Sequence, residues 1–147
     1  MKTVHKSVLL WYSPQEMYRL VTEVHHYPEF LPWCASAHED VVEDDCTLVK
    51  LGMDFHGIGH TFTTRNHHIP DRQVTMALEH GPFSHLDGQW DFFPLGDGSQ
   101  RACKVELSLT YGFDHASLDK LVGSTFDHVA LSMMDAFVKR ATQIYGE

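Results

Sequence analysis

The sequence predicts an α+β fold in which an antiparallel sheet carries both helices on its one apolar face. The chain has 147 residues, of which 43% are hydrophobic and 12% aromatic, so a single domain can bury a sizeable core. Apolar and polar residues alternate through much of residues 34–114, which is the period of strands. Apolar residues at helical spacing lie before and after this region, and a strand precedes the first helix. No repeat or linker divides residues 1–147, and the order of elements is typical of one α+β domain.

The first strand and the first helix have clear local signals. Residues 2–12 are rich in valine, leucine and aromatic side chains and predict a strand. Ser13 can cap the helix that follows, Pro14 suits its first position, and Glu16 completes a capping box. The apolar stripe of this helix consists of Met17, Leu20, Val21 and Val24. Residues 27–33 contain two prolines and predict a turn or a second short helix.

The middle of the chain predicts about six strands, each with one buried face. The alternation is clearest in residues 49–55, 74–78, 86–92 and 105–113. In the third of these runs only Gly88 interrupts the apolar face. Turns are predicted at residues 43–45, 56–57, 70–72 and 96–98.

The last segment predicts one long helix that is capped by Ser117. Its apolar residues step by three or four: Leu118, Val122, Phe126, Val129, Met133, Phe137, Ala141 and Ile144. Lys139 and Arg140 lie near the negative end of the helix dipole, and Gly146 follows the end of the helix. We expect this stripe to cover the apolar face of the sheet.

The charge balance argues against nucleic acid as a general partner. The formal net charge is −9 with histidine neutral, although the 12 histidines make the charge sensitive to pH. A chain of this charge repels phosphate backbones, so we expect no DNA binding. Only Arg65, Arg72, Arg101 and Lys104 can form a local basic patch on the strands.

Cysteine content and hydropathy predict a cytoplasmic protein. Cys34, Cys46 and Cys103 are odd in number and widely spaced, which favours reduced core thiols in a reducing compartment. No apolar run in the sequence approaches the roughly 20 residues that a membrane span needs. The first apolar run, at residues 8–11, follows the start too closely to be a signal-peptide core.

The histidines do not predict a metal site. His56 and His60 lie in strand-like sequence, where four residues span roughly 13 Å, too far for one zinc ion. The pairs at residues 25–26 and 67–68 are adjacent in the chain, and adjacent side chains diverge. We therefore interpret these histidines as surface and loop residues.

The sequence also lacks a recognisable catalytic nucleophile. His85 with Asp87, and His115 with Asp114, resemble a base and its orienting carboxylate. Neither pair lies beside a sharp glycine-serine-glycine turn or a comparable setting for a nucleophile. We therefore expect a binding protein that is not an enzyme and requires no cofactor.

The apolar face of the predicted sheet is wide, and two interpretations of it stay open. It carries Met53, Phe55, Phe62, Met76, Leu78, Trp90, Phe92, Leu109 and Tyr111. These residues either pack as a closed core under the long helix or leave an elongated apolar cavity between helix and sheet. Six methionines favour the cavity weakly, because flexible thioethers tolerate variable ligands.

Motifs along nearly the whole chain occur together in a recognisable order. They are YSPQEMY at 12–18 with Leu20 and Val21, YPEFLPWC at 27–34, FTTRN at 62–66, GPF at 81–83, then Leu86, Gly88, Trp90, Phe92, Pro94 and Leu95, and finally Ala136, Phe137, Arg140 and Ala141. In this combination they resemble the coenzyme Q-binding START-domain family of the polyketide cyclase/dehydrase-like superfamily. Within that family they resemble the bacterial branch of ribosome association toxins (RatA).

The resemblance implies a helix-grip fold, in which a curved antiparallel sheet wraps around a long C-terminal helix and leaves a lipid-sized tunnel. It implies that the chain binds ubiquinone or a similar isoprenoid lipid without turnover, as a carrier or chaperone that supports respiratory electron transport. The residues expected to contact this ligand are Tyr27, Phe30, Leu31, Trp33, Met53, Phe55, Phe62, Met76, Leu78, Phe83, Trp90, Phe92, Leu107, Leu109, Tyr111, Phe126, Val129, Met133 and Phe137.

Two groups of these residues have expected roles. The polar tips of four aromatic residues can hold the head group: Tyr27, Trp33, Trp90 and Tyr111. Three residues in proline-containing loops can gate the mouth or touch the inner membrane: Phe30, Leu31 and Phe83.

Two further functions stay open. The RatA branch implies binding to the large ribosomal subunit and a block of subunit association. The superfamily also includes polyketide cyclases, and such an enzyme would need an inward polar cluster, for which the sequence offers only scattered candidates such as Asp54 and His60.

Overall fold

Seven strands form one curved antiparallel sheet around a long C-terminal helix in this computed structural model, which describes residues 1–55, 57–114 and 116–146. Of Ile58, Ser117, Leu118 and Leu121 it describes the backbone alone. The elements are β1 (Lys2–Leu10), α1 (Pro14–Thr22), a 3₁₀ helix (Val24–Glu29), β2 (Cys34–Glu43), β3 (Cys46–Phe55), β4 (Ile58–Ile69), β5 (Gln73–His80), β6 (Phe83–Pro94), β7 (Cys103–Phe113) and α2 (Ala116–Tyr145). The predicted α+β, helix-grip fold is confirmed.

The strands lie in the order β1-β7-β6-β5-β4-β3-β2, and every neighbouring pair is antiparallel. Strands β2 to β7 follow one another in the chain and form a meander, whereas β1 pairs with β7. Consequently β1 and β2 are the two edges of the sheet. The inner face of the sheet packs against α2, so the core lies between them.

Helix α1 begins at the capping box that the sequence predicts. The Ser13 hydroxyl accepts a hydrogen bond from the Glu16 amide at 3.1 Å, and the Glu16 carboxylate accepts one from the Ser13 amide at 2.8 Å. Pro14 is the first helical residue, where its missing N–H has no helical partner to lose. The two proline-containing turns after α1 form the 3₁₀ helix and the loop that leads into β2.

The predicted turns connect the strands, and several require a left-handed backbone. Asp45 (φ 58°) lies between β2 and β3, and Asp71 (φ 63°) lies between β4 and β5. Gly96 and Gly98 lie between β6 and β7 with φ of 65° and 84°. Of the predicted turn at 56–57, residue 56 lies outside the described residues.

Helix α2 differs from its prediction at both ends. It begins at Ala116, so the prediction that Ser117 caps it is wrong, because Ser117 already lies in the first turn. Ile144 is exposed rather than part of the apolar stripe, because the last turn directs Tyr145 instead towards α1, where its hydroxyl donates to the Glu16 carbonyl at 3.1 Å. Gly146 (φ 78°) ends the helix as predicted, and its N–H donates to the Thr142 carbonyl.

The three cysteines are buried, unpaired thiols, as predicted. Burial raises the pKa of Cys34 and of Cys103 to about 11, so neither thiol is a thiolate at neutral pH. None of the described helices combines the length and the apolarity that crossing a bilayer requires.

Candidate ligand cavity

A narrow cavity lies between the inner face of the sheet and α2, with the 3₁₀ helix at one side. It encloses about 70 Å³ in which the centre of a water molecule fits, several times the roughly 10–15 Å³ that one ordered water needs. Its lining consists of Val24, Tyr27, Leu31, Trp33, Val49, Leu51, Phe62, Thr64, Asn66, Met76, Leu86, Gly88, Trp90, Leu107, Leu109, Phe126, Met133 and Phe137. The closed-core interpretation therefore does not describe the middle of this face.

The structure brings together eleven of the predicted ligand-contacting residues at this cavity. They are Tyr27, Leu31, Trp33, Phe62, Met76, Trp90, Leu107, Leu109, Phe126, Met133 and Phe137. The strand residues among them share the inner face through the period-two alternation, and those of α2 share one side of the helix.

The other eight predicted residues lie elsewhere. Met53, Phe55, Phe83, Phe92, Tyr111 and Val129 are buried in the surrounding core, and Phe30 and Leu78 are half-buried beside it. The reason is that the cavity occupies only the middle of the sheet, and beyond it side chains meet directly. The Phe83 ring, for example, stacks on Phe113 at 5.0 Å and meets the edge of Phe126 at 5.2 Å.

Seven lining residues are absent from the predicted set. Four are apolar members of the same alternating strands or of the 3₁₀ helix: Val24, Val49, Leu51 and Leu86. Gly88 lines the wall without a side chain, and the Met76 methyl carbon and Cδ1 of Leu109 occupy the place of one, since a Cβ there would lie 2.7 Å and 3.1 Å from them. Thr64 and Asn66 are polar and give no hydropathy signal, and only their alternation with Phe62 on β4 could have placed them inward.

Thr64 and Asn66 form the one polar pair in the described lining. Both are buried, and the Thr64 hydroxyl donates to Oδ1 of Asn66 at 2.7 Å. Thr47 lies directly opposite Asn66 in the β3–β4 ladder, and its hydroxyl contacts Nε2 of His68 at 3.1 Å. The Tyr18 hydroxyl contacts Nδ1 of the same imidazole at 3.2 Å. Burial lowers the pKa of His68, so this cluster is uncharged at neutral pH.

The tyrosines predicted to hold a head group are committed to other partners. The Tyr27 hydroxyl donates to the Val21 carbonyl, and the Tyr111 hydroxyl donates to the Asp127 carboxylate. Burial raises the pKa of both phenols, and for Tyr111 the hydrogen bond to Asp127 adds to the rise. Their predicted role as hydrogen-bond donors to a ligand therefore does not fit the geometry.

The predicted gate is also not exposed. Leu31 and Phe83 are only 2% and 3% exposed, so neither can touch a membrane in this conformation. Pro-containing segments here turn their large side chains inward because that buries apolar surface. The large apolar side chains that do face solvent include Leu9, Trp11 and Phe93 on or beside other strands.

Aromatic and ionic contacts fix the 3₁₀ helix to α2. The rings of Tyr27 and Phe30 meet the Phe137 ring edge-to-face at 5.5 Å and 5.1 Å. The Arg140 guanidinium lies 5.2 Å from the Phe30 ring centre and donates to the Glu29 carboxylate at 2.7 Å. The segment that covers one side of the cavity is therefore tied to α2 by these contacts, and to α1 by the hydrogen bond from the Tyr27 hydroxyl to the Val21 carbonyl.

The candidate catalytic groups do not meet at the cavity. Asp54 is exposed and accepts a hydrogen bond from the Gly57 amide, while His60 is half-buried with an unpartnered Nε2. His85 pairs with Asp87 at 3.3 Å on the partly exposed side of β6, and neither lines the cavity. Of the remaining histidines named above, His56 and His115 lie outside the described residues. Among residues 1–55, 57–114 and 116–146, no three potential metal ligands converge.

The four basic side chains do not form a free basic patch. Arg65 pairs with Glu79 at 2.6 Å, and Lys104 pairs with Glu106 at 2.9 Å. Arg101 holds both carboxylate oxygens of Glu16 at 2.8 Å. Arg72 is exposed and donates to the carbonyl of its own turn. The outer surface of the strands therefore gives little electrostatic attraction for RNA phosphates.

Comparison with known proteins places the chain in a family. The family model described as polyketide cyclase / dehydrase and lipid transport matches residues 10–138. The chain is 38% identical to the ribosome association toxin RatA of Pseudomonas aeruginosa over 97% of both chains, and 37% identical to RatA of Vibrio cholerae over the full length of both. It is 29% identical to the mitochondrial coenzyme Q-binding protein COQ10 homolog B of Xenopus laevis, over 96% of this chain and 58% of that one.

Solved structures show the same fold. An 18 kDa protein from Caulobacter crescentus superimposes over the full length of both chains with a TM-score of 0.74 and 28% identity. The Zhui aromatase/cyclase of a Streptomyces species gives a TM-score of 0.79 over 97% of this chain and 94% of that one, at 16% identity, a likeness of fold alone. The START-like membership that the motifs predict is thus confirmed, and the chain belongs to the polyketide cyclase/dehydrase and lipid transport family.

Proposed function

We propose that the chain binds ubiquinone or a similar isoprenoid lipid in the cavity and carries it without chemical change. The observation that supports this most directly is the lining: its described residues are apolar except for Thr64 and Asn66, and none of them is Asp, Glu, Lys, Arg, His or Cys. Such a wall offers apolar contact to a ligand but no acid, base or activated nucleophile. The Xenopus laevis relative is named a coenzyme Q-binding protein, and coenzyme Q is the same kind of ligand.

Binding requires the cavity to widen, because a quinone ring with its tail is larger than the space present. Met76 and Met133 are half-buried in the lining, and flexible thioethers adapt to variable shapes. Each buried methylene of an isoprenoid tail contributes about 0.8 kcal/mol, which can offset the cost of this movement.

Two measurements test the proposal. The protein is purified from a quinone-producing bacterium, extracted with organic solvent and analysed by mass spectrometry, and near-stoichiometric ubiquinone is the expected result. A short-tail ubiquinone is then added to the extracted protein, and tryptophan fluorescence is recorded. Trp33 and Trp90 line the cavity, so a bound quinone is expected to quench them.

A pair of glycine substitutions controls the position of binding. Gly88→Val forces a side chain against Met76 and Leu109 at the cavity wall and is expected to weaken quinone affinity, as measured by quenching, by about tenfold or more. Circular dichroism checks that this variant still folds, because a Cβ there also lies 3.3 Å from the Ser108 carbonyl. Gly59→Val is the matched control on a strand, because a Cβ there meets nothing closer than 3.8 Å. An extract without quinone, together with no tryptophan quenching by the added quinone, would contradict binding. Equal quinone affinity in Gly88→Val and Gly59→Val would contradict binding in this cavity.

A second candidate function is regulation of ribosomal subunits. The specific observation is that relatives named ribosome association toxin, at 37–38% identity, align over 97–100% of this chain and of themselves. On this candidate, protein added to a bacterial extract reduces the 70S peak and increases free subunits in a sucrose gradient. An unchanged profile at excess protein would exclude it.

The two candidates can be separated with the same variant. Ligand binding depends on the cavity, so Gly88→Val is expected to abolish quenching while it leaves the ribosome profile unchanged. If Gly88→Val alters both, the cavity and the ribosome contact are coupled. The paired basic residues and the net charge of −9 favour a contact with basic ribosomal protein over one with RNA.

A further inference from the structure

The geometry points to Asn66 as the anchor for the head of the ligand, and to a head that is a neutral oxygen acceptor such as a quinone carbonyl, not a carboxylate. This inference rests on the proposed function, since it concerns how an apolar ligand is oriented in the same cavity. It adds a residue and a ligand class that hydropathy alone does not reveal.

The hydrogen bond within the polar pair decides which groups of Asn66 are available. Thr64 donates its hydroxyl hydrogen to Oδ1 of Asn66, so the carboxamide is oriented and its oxygen is occupied. Among the hydrogen bonds of the described residues, none uses Nδ2 of Asn66, although the residue is only 6% exposed. Among the described residues only Nε2 of His60 is both sealed from solvent and without a partner, so Nδ2 of Asn66 keeps contact with open space, where a ligand oxygen can accept from it.

The surroundings of the pair exclude a charged head. The described lining holds no Lys, Arg or His, so a carboxylate at this position would be buried without a counter-charge. The nearest imidazole, His68, is engaged by Thr47 and Tyr18, and burial lowers its pKa. Burying an unpaired carboxylate costs far more than one hydrogen bond from an amide returns. A carbonyl oxygen accepts from Nδ2 at no such cost.

The position of the pair also sets the direction of the ligand. Phe62 and Asn66 lie on the same face of β4, four residues and therefore about 13 Å apart. Phe62 is surrounded by Phe83 and, across the cavity, Phe126, all of them apolar. The head at Asn66 thus directs the tail towards Phe62, along a length that suits two to three isoprene units.

Binding of three probes to wild-type protein and to variants tests this assignment. The probes are a ubiquinone with two isoprene units, the isoprenoid hydrocarbon farnesane, and farnesoic acid, which carries a carboxylate. Tryptophan quenching measures binding of the quinone. Binding of farnesane and of farnesoic acid is measured by how well each displaces the quinone. In wild-type protein we expect the quinone to bind most tightly and farnesoic acid to compete least at neutral pH.

The variants then separate the anchor from the cavity. Asn66→Leu replaces the amide donors with an apolar side chain of similar size. It is expected to lower the affinity for the quinone by about tenfold, as for one lost hydrogen bond. It is expected to leave farnesane unchanged or tighter. Thr64→Val, which removes the orienting hydroxyl, is expected to give a smaller loss of quinone affinity. Thr63→Val on the opposite face of β4 is the matched control. Circular dichroism and urea unfolding confirm that each variant folds.

Each outcome has a defined meaning. If wild-type protein binds neither quinone nor farnesane, the proposed function fails, and the anchor with it. If both bind, but Asn66→Leu and Thr64→Val change the affinities for quinone and farnesane by the same factor, the proposed function stands and the assignment of Asn66 as the anchor is wrong. If farnesoic acid competes as well as the quinone binds, the neutral-head assignment is overturned, and a fatty acid becomes the ligand to pursue.

Discussion

The Glu16 carboxylate connects two distant parts of the chain. It caps α1 through the Ser13 amide and receives two hydrogen bonds from Arg101, which lies just before β7. The hydrogen bonds from Arg101 are the largest cause, and together with the contact to Ser13 they lower the pKa of Glu16 to about 2. One side chain therefore joins the start of the first helix to a strand 85 residues later.

Replacing Glu16 with Gln is expected to lower the free energy of unfolding by about 1–2 kcal/mol at neutral pH, since half-exposed Arg101 is partly screened by solvent. The folded pKa is depressed, so the stabilisation is present above the unfolded value of 4.5 and is lost as the pH falls towards about 2. Urea unfolding of both proteins at neutral pH and near pH 3 measures this. Asp135→Asn on the exposed side of α2 controls for loss of charge, and a difference that stays constant across the pH range would contradict the assignment.

His68 affects stability in a different pH window. Burial, the largest cause, lowers its pKa from 6.5, so protonation favours the unfolded chain. Stability is therefore full above about pH 6.5 and decreases as the pH falls below that value. The midpoint of urea unfolding is expected to decrease less between pH 7 and 5 in His68→Gln than in wild-type protein. His67→Gln, the exposed neighbour on β4, is expected to retain the wild-type dependence, and identical slopes in the two variants would refute this role for His68.

At the scale of elements, the 3₁₀ helix lines one side of the cavity and, in the part of the chain that the structure describes, makes no backbone hydrogen bond to a strand. Its hold on α2 depends on the rings of Tyr27 and Phe30 and on Arg140. The chain that follows has two short-range bonds, from the Leu31 amide to the Tyr27 carbonyl and from the Cys34 amide to the Leu31 carbonyl. One bond to the sheet, from the Asp54 amide to the Trp33 carbonyl at 2.9 Å, marks where the mobile part of the segment is expected to end. Ligand entry is therefore expected to begin with movement of this segment.

Arg140→Gln removes both the ion pair to Glu29 and the contact with the Phe30 ring. Amide hydrogen exchange at Leu31 and Cys34 is expected to accelerate about two- to fivefold, and quinone association to accelerate with it. Lys139→Gln changes the neighbouring exposed cation of α2 and serves as the control. Unchanged exchange in Arg140→Gln would mean that the aromatic contacts alone hold the segment.

The elements were largely predictable from sequence, whereas the cavity was not. Alternation and turn residues located the strands, and Ser13 with Glu16 located the start of α1, because these signals are local. A cavity depends on the sum of side-chain volumes across elements, which no local pattern contains. Asn66 illustrates this: its polarity is typical of an exposed residue, and its alternation with Phe62 is a weak signal. The pairing with Met76 and Thr47 shows that it faces inward.

At the scale of the whole molecule, the net charge of −9 makes the folded chain repel itself. Acidic residues concentrate in and beside the β2–β3 turn, at Glu39, Asp40, Glu43, Asp44 and Asp45. Because this turn lies at one edge of the sheet, its charges are poorly balanced by the ion pairs on the other strands.

Raising the NaCl concentration from low to physiological is expected to raise the thermal unfolding midpoint by a few degrees, because salt screens this repulsion. Asp44→Lys is expected to raise the midpoint at low salt and to reduce its salt dependence. Asp44 is the suitable position because Asp45 adopts a left-handed backbone that a substitution would strain. A midpoint that falls with NaCl would show that attractive pairs outweigh the net repulsion.

The pairing of β1 with β7 constrains how the chain can be made. Val4 lies opposite Leu109, so β1 must wait for more than one hundred further residues to be synthesised before its partner strand exists. The nascent meander from β2 onward can assemble strand by strand, but β1 can pair and α2 can pack only after β7 and α2 have left the exit tunnel. During that interval Lys2, His5 and Lys6 keep β1 hydrophilic and discourage pairing with a neighbouring chain on the same polysome.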